Sequence, residues 1–153
     1  MKLKQHTAGL SLIELMVVLA IIGVLSALAY PSYTQHLARR DRLEAISLLY
    51  EAQLFMARYY AVNSRYSADS AGVVPPLLPA RLQSTSVQAS TRYSLSVQAG
   101  LNSYTLIATP QSVNPQALLC DQLSLSLNHT NTKSALALDG SVLEPAAVSA
   151  CWR

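Results

Sequence analysis

Twenty consecutive residues, Leu10 to Ala29, carry one charge, Glu14, inside the stretch GLSLIELMVVLAIIGVLSALAYP that spans 9–31. A helix needs about 20 mainly apolar residues to cross the hydrocarbon core of a bilayer, so this run has the length and composition of a membrane segment. Lys2 and Lys4 precede it, which predicts a cytoplasmic N-terminus with the remainder of the chain outside. A secretory signal peptide would use the same parts, with Ala27-Leu28-Ala29 as the small-x-small cleavage site before Tyr30, and a plain N-terminal anchor would keep them. Both leave Glu14 unexplained. A carboxylate within an apolar run carries a cost that falls toward the interface, and its retention there points to a partner.

The junction Gly9-Leu10-Ser11-Leu12-Ile13-Glu14 closely resembles the class III leader junction of type IV pilins and pseudopilins. The resemblance implies that residues 1–9 are a leader, that a prepilin peptidase cuts between Gly9 and Leu10 and methylates the new N-terminus at Leu10, and that Glu14 becomes the fifth residue of the mature chain. Most members of the family have Phe where this chain has Leu10. Gly23 and Pro31 occupy places where the family's long N-terminal helix bends or can locally unwind. Both have physical grounds as well: proline removes a backbone donor and clashes with the preceding turn, and glycine weakens a helix by about 1 kcal/mol.

Beyond the apolar run of 10–31 the chain leaves about 120 residues, enough for one ordinary domain. The charged fraction is 12%, and the aromatics are chiefly tyrosine. Net charge is +3 for the whole chain; without Lys2 and Lys4 the basic residues fall from 11 to 9 against 8 acids, leaving about +1. General electrostatic attraction to nucleic acid is therefore not indicated. The two cysteines, Cys120 and Cys151, fall in the part expected outside the cytoplasm, where a disulfide is the natural inference and two buried free thiols the alternative. The bond would close a loop of about 30 residues and stabilise by about 3 to 4 kcal/mol through chain entropy.

From 32 to 62 the run is rich in helix formers and free of Gly and Pro, so the helix is expected to continue. Arg40, Glu44, Ser47, Glu51 and Arg58 share one face; Ala45, Leu49, Ala52, Met56 and Tyr60 share the opposite one, the side expected against a sheet. Leu43, Tyr50 and Leu54 lie beside the polar stripe as candidate subunit contacts or scattered surface residues. Residues 63–92, with Gly72, Pro75, Pro76 and Pro79, read as a helix-to-sheet loop with a possible helical turn over Leu77 to Leu82. From 93 the period becomes two. Tyr93, Leu95 and Val97, a turn at Gly100 to Asn102, and Tyr104, Leu106 and Ala108 predict a hairpin; Leu123, Leu125 and Leu127 predict a third strand, and Leu136 to Leu138 a weaker fourth. The expected fold is α+β, a type IV pilin-like arrangement in which a long N-terminal helix, its first half protruding, packs on an antiparallel sheet of three or four strands with a C-terminal disulfide-bounded loop over 93–153.

The C-terminal run Cys120-Asp121-Gln122-Leu123-Ser124-Leu125-Ser126-Leu127, with the polar segment to Ser134 and the closing Cys151-Trp152, resembles the PilE-type minor pilins of type IVa pili. That implies a structural subunit of an extracellular filament serving adhesion, twitching motility or DNA uptake, held in the inner membrane until assembly. It implies other pilin subunits, the prepilin peptidase, and an assembly platform and ATPase as partners. In such filaments the resemblance gives Glu14 an assembly role, pairing with the α-ammonium of a neighbouring subunit. The alternatives are a type II secretion pseudopilin and a pilin whose main role is binding DNA or a surface. Arg39, Arg40 and Arg42 form the densest basic cluster, but Asp41 and Glu44 lie beside them, which favours a solvated or interface face over a DNA site.

Other chemistry is not indicated. His6, His36, His129 and the cysteines lack metal-ligand spacing, the five glycines make neither a phosphate loop nor a dinucleotide fingerprint, and no nucleophile elbow supports a triad. No cofactor and no enzymatic activity are expected. Asn128-His129-Thr130 fits a glycosylation acceptor pattern but is read as a polar turn.

Overall fold

The computed structural model describes residues 12–87, 90–111, 119–137 and 140–153. Helix α1 spans Leu12–Asn63 as 52 residues without a break, about 78 Å at 1.5 Å per residue. It ends where Ser64 takes a left-handed conformation (φ 55°), with the Ser64 N–H donating to Tyr60 O at 2.7 Å and Asn63 Nδ2 donating to Tyr59 O at 2.9 Å. These bonds satisfy carbonyls that the last turn would otherwise leave open.

The second half of α1 packs on one face of a five-stranded antiparallel sheet in sequential order: β1 Ser84–Val87, β2 Ser90–Ala99, β3 Tyr104–Pro110, β4 Ser124–Asn128 and β5 Lys133–Leu136. The registers Leu95↔Ala108, Leu106↔Leu127 and Ala108↔Leu125 place apolar side chains opposite one another on the helix side. With Ala45, Leu49, Ala52 and Met56 of α1 they form one core, to which Leu78, Leu82, Tyr93, Tyr104, Ala135 and Val148 add. Short helix α2 (Ala80–Gln83) leads into β1, a 3-10 turn covers Leu119–Gln122, and α3 (Pro145–Cys151) closes the chain with proline at its start, where no backbone donor is needed.

Four sequence expectations are revised. The sheet has five strands rather than three or four, because β1 lies inside 63–92, the span read as loop: Ser84–Val87 is short and holds one apolar residue, with no apolar alternation to announce it. The last strand is Lys133–Leu136, ahead of the Leu136 to Leu138 expectation, whose Leu138 lies outside the described residues. Tyr60 is 38% exposed instead of joining the buried face, because its ring stacks on Tyr66 of the loop after α1, centroids 4.5 Å apart. The basic cluster is split: Arg40 is exposed, whereas Arg42 is buried.

The loop after α1 is held by its own chemistry. Asp69 Oδ1 accepts from the N–H groups of Val74 (2.8 Å) and Val73 (3.0 Å), and these bonds hold its carboxyl below the ordinary range, the Val74 bond foremost. Gly72 (φ +76°) is required, since a Cβ there would stand 3.0 Å from Leu101 Cγ. The β4–β5 connection is the expected polar turn: Asn128 Oδ1 accepts from the N–H groups of Thr130 (3.0 Å) and Thr132 (2.8 Å), with Asn131 left-handed.

Candidate anchoring and assembly site

The first half of α1 is apolar, and among the described residues its side chains from Leu12 to Tyr33 are exposed. Leu12, Leu15, Val18, Ile22, Leu25 and Leu28 are all more than half exposed or at half, as are their neighbours on the other faces of the helix. Among the described residues α1 is the one helix long and apolar enough to cross a membrane. Each Leu, Ile or Val side chain gains about 1.5 to 3 kcal/mol on leaving water, so a run of this length requires either a bilayer or other helices around it. Tyr30 and Tyr33 stand exposed at its C-terminal end, where amphipathic rings suit a membrane–water boundary.

Glu14 lies in the first turn of α1 and is exposed. Gly23 sits in the helix with open space where a Cβ would be, and α1 runs through Pro31 without interruption, the Thr34 hydroxyl donating back to Pro31 O at 3.0 Å. Gly9 and Leu10 lie outside the described residues. From Leu15 to Ala38 there is no Asp, Glu, Lys or Arg; Arg39 is the next charge.

Just past that charge, the C-terminal part of the chain is fastened to α1. Arg42 Nη1 donates to Asp121 Oδ1 at 2.7 Å, with the two side chains only 7% and 1% exposed. The partnership is incomplete, since Arg42 Nε and Asp121 Oδ2 are buried without hydrogen-bond partners among the described residues. Burial accordingly pushes the Asp121 carboxyl above the usual carboxylate range and outweighs the opposing pull of Arg42 and, behind it, Arg39. Tyr93 donates its hydroxyl to Asp121 O at 3.3 Å, and burial, reinforced by the Asp121 charge, pushes that phenol up to about 12. The neighbouring residue, Cys120, is disulfide-bonded to Cys151, Cα atoms 5.1 Å apart. Higher on α1, Lys133 Nζ lies 5.6 Å from the Tyr50 ring centre and 5.4 Å from that of Trp152, whose indole N–H donates to Ser134 O at 3.1 Å. Asp121, Tyr93 and Lys133 were not distinguishable as partners of α1 in the sequence; the only local signal is that Asp121 follows a cysteine.

Leu43, Tyr50 and Leu54 are 45%, 39% and 52% exposed, an apolar line on the side of α1 away from the core. Arg65 and Tyr66 serve loop packing: Arg65 Nε donates to Ser67 O at 3.2 Å and Tyr66 stacks between Tyr60 and Tyr104. Among the described residues no group of three His, Cys, Asp or Glu side chains is placed to hold a metal ion.

Residues 31–124 match the family model described as type IV minor pilin ComP, DNA uptake sequence receptor, and residues 4–30 match the prokaryotic N-terminal methylation motif. The fimbrial protein EcpC of Eikenella corrodens is 42% identical over 69 residues, covering 45% of each chain. The type IV major pilin protein PilE1 of Neisseria gonorrhoeae is 40% identical over 70 residues, covering 44% of this chain and 42% of its own. A fimbrial protein of Neisseria meningitidis is 32% identical over 103 residues, covering 66% of this chain and 56% of its own. The chain thus spans about half the length of these relatives. A solved type IV pilin from Shewanella oneidensis aligns over 63% of this chain and 89% of its own at 24% identity, with a TM-score of 0.41.

Proposed function

Because the chain belongs to the type IV pilin family, we propose that it is a non-enzymatic minor subunit of a type IV pilus, anchored by α1 in the inner membrane and then assembled into an extracellular filament. The observation that carries this reading is the uncovered apolar half of α1 with Glu14 at its head. A bilayer satisfies that surface before assembly, and the same surfaces of neighbouring subunits satisfy it in a filament core, with the sheet facing outward.

In this reading residues 1–9 are removed by a prepilin peptidase, Leu10 carries the methylated amine, and Gly23 and Pro31 supply the flexibility that lets α1 adapt to close packing. Glu14 pairs with the α-ammonium at Leu10 of a neighbour, an attraction much stronger away from water than in it. Major and minor pilins, the assembly platform and its ATPase are the partners. Shearing filaments from cells and probing them for the chain tests the proposal: recovery in the filament fraction is expected, and confinement to the membrane fraction with filaments present contradicts it.

A second reading, DNA binding, is favoured by the description of the matching family model as a DNA uptake sequence receptor. Against it, several cations already face carboxylates: Arg42 faces Asp121, Arg40 and Arg92 face Asp41, and Arg81 faces Glu51. A salt titration of duplex binding decides between them, because log affinity for a phosphate-driven site falls with log salt at a slope of about −0.9 per phosphate contact. A flat response sinks the DNA reading.

A further inference from the structure

Where α1 leaves its apolar run, a groove of about 420 Å³ is lined by Arg39 and Arg42 of α1, Leu119 and Cys120 of the 3-10 turn, and Ala150 and Arg153 at the end of the chain. Three arginines thus line one groove. The carboxylate paired with them is Asp121, through Arg42, which leaves an excess of two positive charges; an α-carboxylate on Arg153 would lower that excess by one and leave it positive. Arg42 is buried with its Nε lacking a partner, whereas Arg39 and Arg153 are exposed. A groove that concentrates positive charge beside a buried, incompletely satisfied guanidinium is built to receive an oxyanion.

The height of the groove above the apolar run identifies the source of that oxyanion. Glu14 and Arg39 bracket a run free of Asp, Glu, Lys and Arg, about 37 Å along a helix axis, or about 35 Å when tilted by about 20°. The hydrocarbon core is about 30 Å thick, and about 40 to 45 Å with both headgroup layers. With Glu14 at one hydrocarbon boundary, Arg39 falls within the opposite headgroup layer.

We propose that Arg39, Arg42 and Arg153 form a binding site for the phosphate of an anionic phospholipid headgroup, which holds the sheet domain down on the outer face of the membrane until assembly withdraws the helix. The proposal rests on the membrane-anchored reading of α1. Arg39 and Arg153 supply exposed donors around the phosphate, and Arg42 supplies charge from below while it holds Asp121. Assembly must break this contact, so the site also sets how readily a subunit leaves the bilayer.

The test uses the full chain reconstituted in vesicles of equimolar phosphatidylcholine and phosphatidylglycerol, with flotation to establish membrane association and native mass spectrometry to read the retained lipid. Wild type is expected to float and to retain phosphatidylglycerol over phosphatidylcholine. Each basic residue at an anionic surface changes retention about fivefold, so R39Q/R153Q should reduce the preference about 25-fold, R39K/R153K should restore most of it, and R58Q, outside the groove, should leave it unchanged. Floating protein without a lipid preference, or a preference unaffected by R39Q/R153Q, overturns the site and spares the anchor. Protein that fails to float overturns the anchor. Displacement of the lipid by inorganic phosphate at equal concentration identifies a free-phosphate site, and displacement by duplex DNA a nucleic-acid site; either result also overturns the lipid assignment.

Discussion

Removing the Asp121 carboxylate should unfold the sheet domain far more readily than its size suggests. In Asp121→Ala the Arg42 guanidinium, 7% exposed and bonded through Nη1 at 2.7 Å, stays buried with its charge uncompensated. Breaking one side of such a pair costs about 3 to 5 kcal/mol. At about 4 °C per kcal/mol for a domain of this size, Tm should fall by about 12 to 20 °C. Arg42→Met should cost a similar amount, since it strands the carboxylate. The double variant Arg42→Met/Asp121→Ala removes both charges together with two atoms, Arg42 Nε and Asp121 Oδ2, that have no partners to lose. It should lie within about 1 kcal/mol of wild type, giving a coupling energy well beyond the about 0.5 kcal/mol within which independent sites add. Thermal unfolding of the full chain in detergent, followed by near-UV circular dichroism, reports the sheet domain without the membrane half of α1. If Asp121→Ala melts within a few degrees of wild type, or if the double variant loses the sum of the two single losses, the pair is not the fastening described here.

Three further outcomes are expected. Intact mass of the protein from cells should correspond to a chain starting at Leu10 with one added methyl group; a chain starting at Tyr30 would restore an ordinary signal peptide and remove the filament reading. Cys120→Ser should lower the stability of the sheet domain by about 3 to 4 kcal/mol in denaturant titration while vesicle flotation stays unchanged, because in the proposed anchoring insertion needs only the first half of α1; recovery of both cysteines as alkylatable thiols from native protein would contradict the bond. Asp69, whose carboxyl is held low by the amides of Val74 and Val73, favours the folded loop above its ordinary pKa and loses that effect as pH falls through its lowered value. Exchange at those two amides, corrected for intrinsic rate, should therefore accelerate below about pH 4 in wild type and show no such step in Asp69→Asn, whose Oδ1 still accepts but does not titrate; identical profiles would rule this out.

Much of the architecture was legible because it repeats. The 3.6-residue spacing of Ala45, Leu49, Ala52 and Met56 and the two-residue spacing of Tyr93 to Val97, Tyr104 to Ala108 and Leu123 to Leu127 each mark a buried face, and all lie in the core except Val97, which is half-buried against it. Cys120 and Cys151 were legible from the compartment that the lysines imply. What escaped has no period. β1 is three polar residues and one valine on a sheet edge, and its pairing comes from β2 rather than from its own pattern. Arg42 reads in sequence as one of three neighbouring arginines on a solvated or interface face; only the fold brings it to Asp121, 79 positions away, so that one of the three is buried and another, Arg39, rims a groove. Lys133 meets Tyr50 and Trp152 for the same reason, through contacts no local signal encodes.

The central claim is that Glu14 serves assembly and not insertion, and quantifying Glu14→Val in sheared filaments against wild type tests it most directly. Valine makes the segment more apolar, so the variant should enter the membrane at least as well and be processed to the same N-terminus by mass. It should nonetheless be strongly depleted from the filament fraction, because the neighbouring ammonium would be left without its partner away from water. Normally processed Glu14→Val protein present in filaments at the wild-type level would contradict the account.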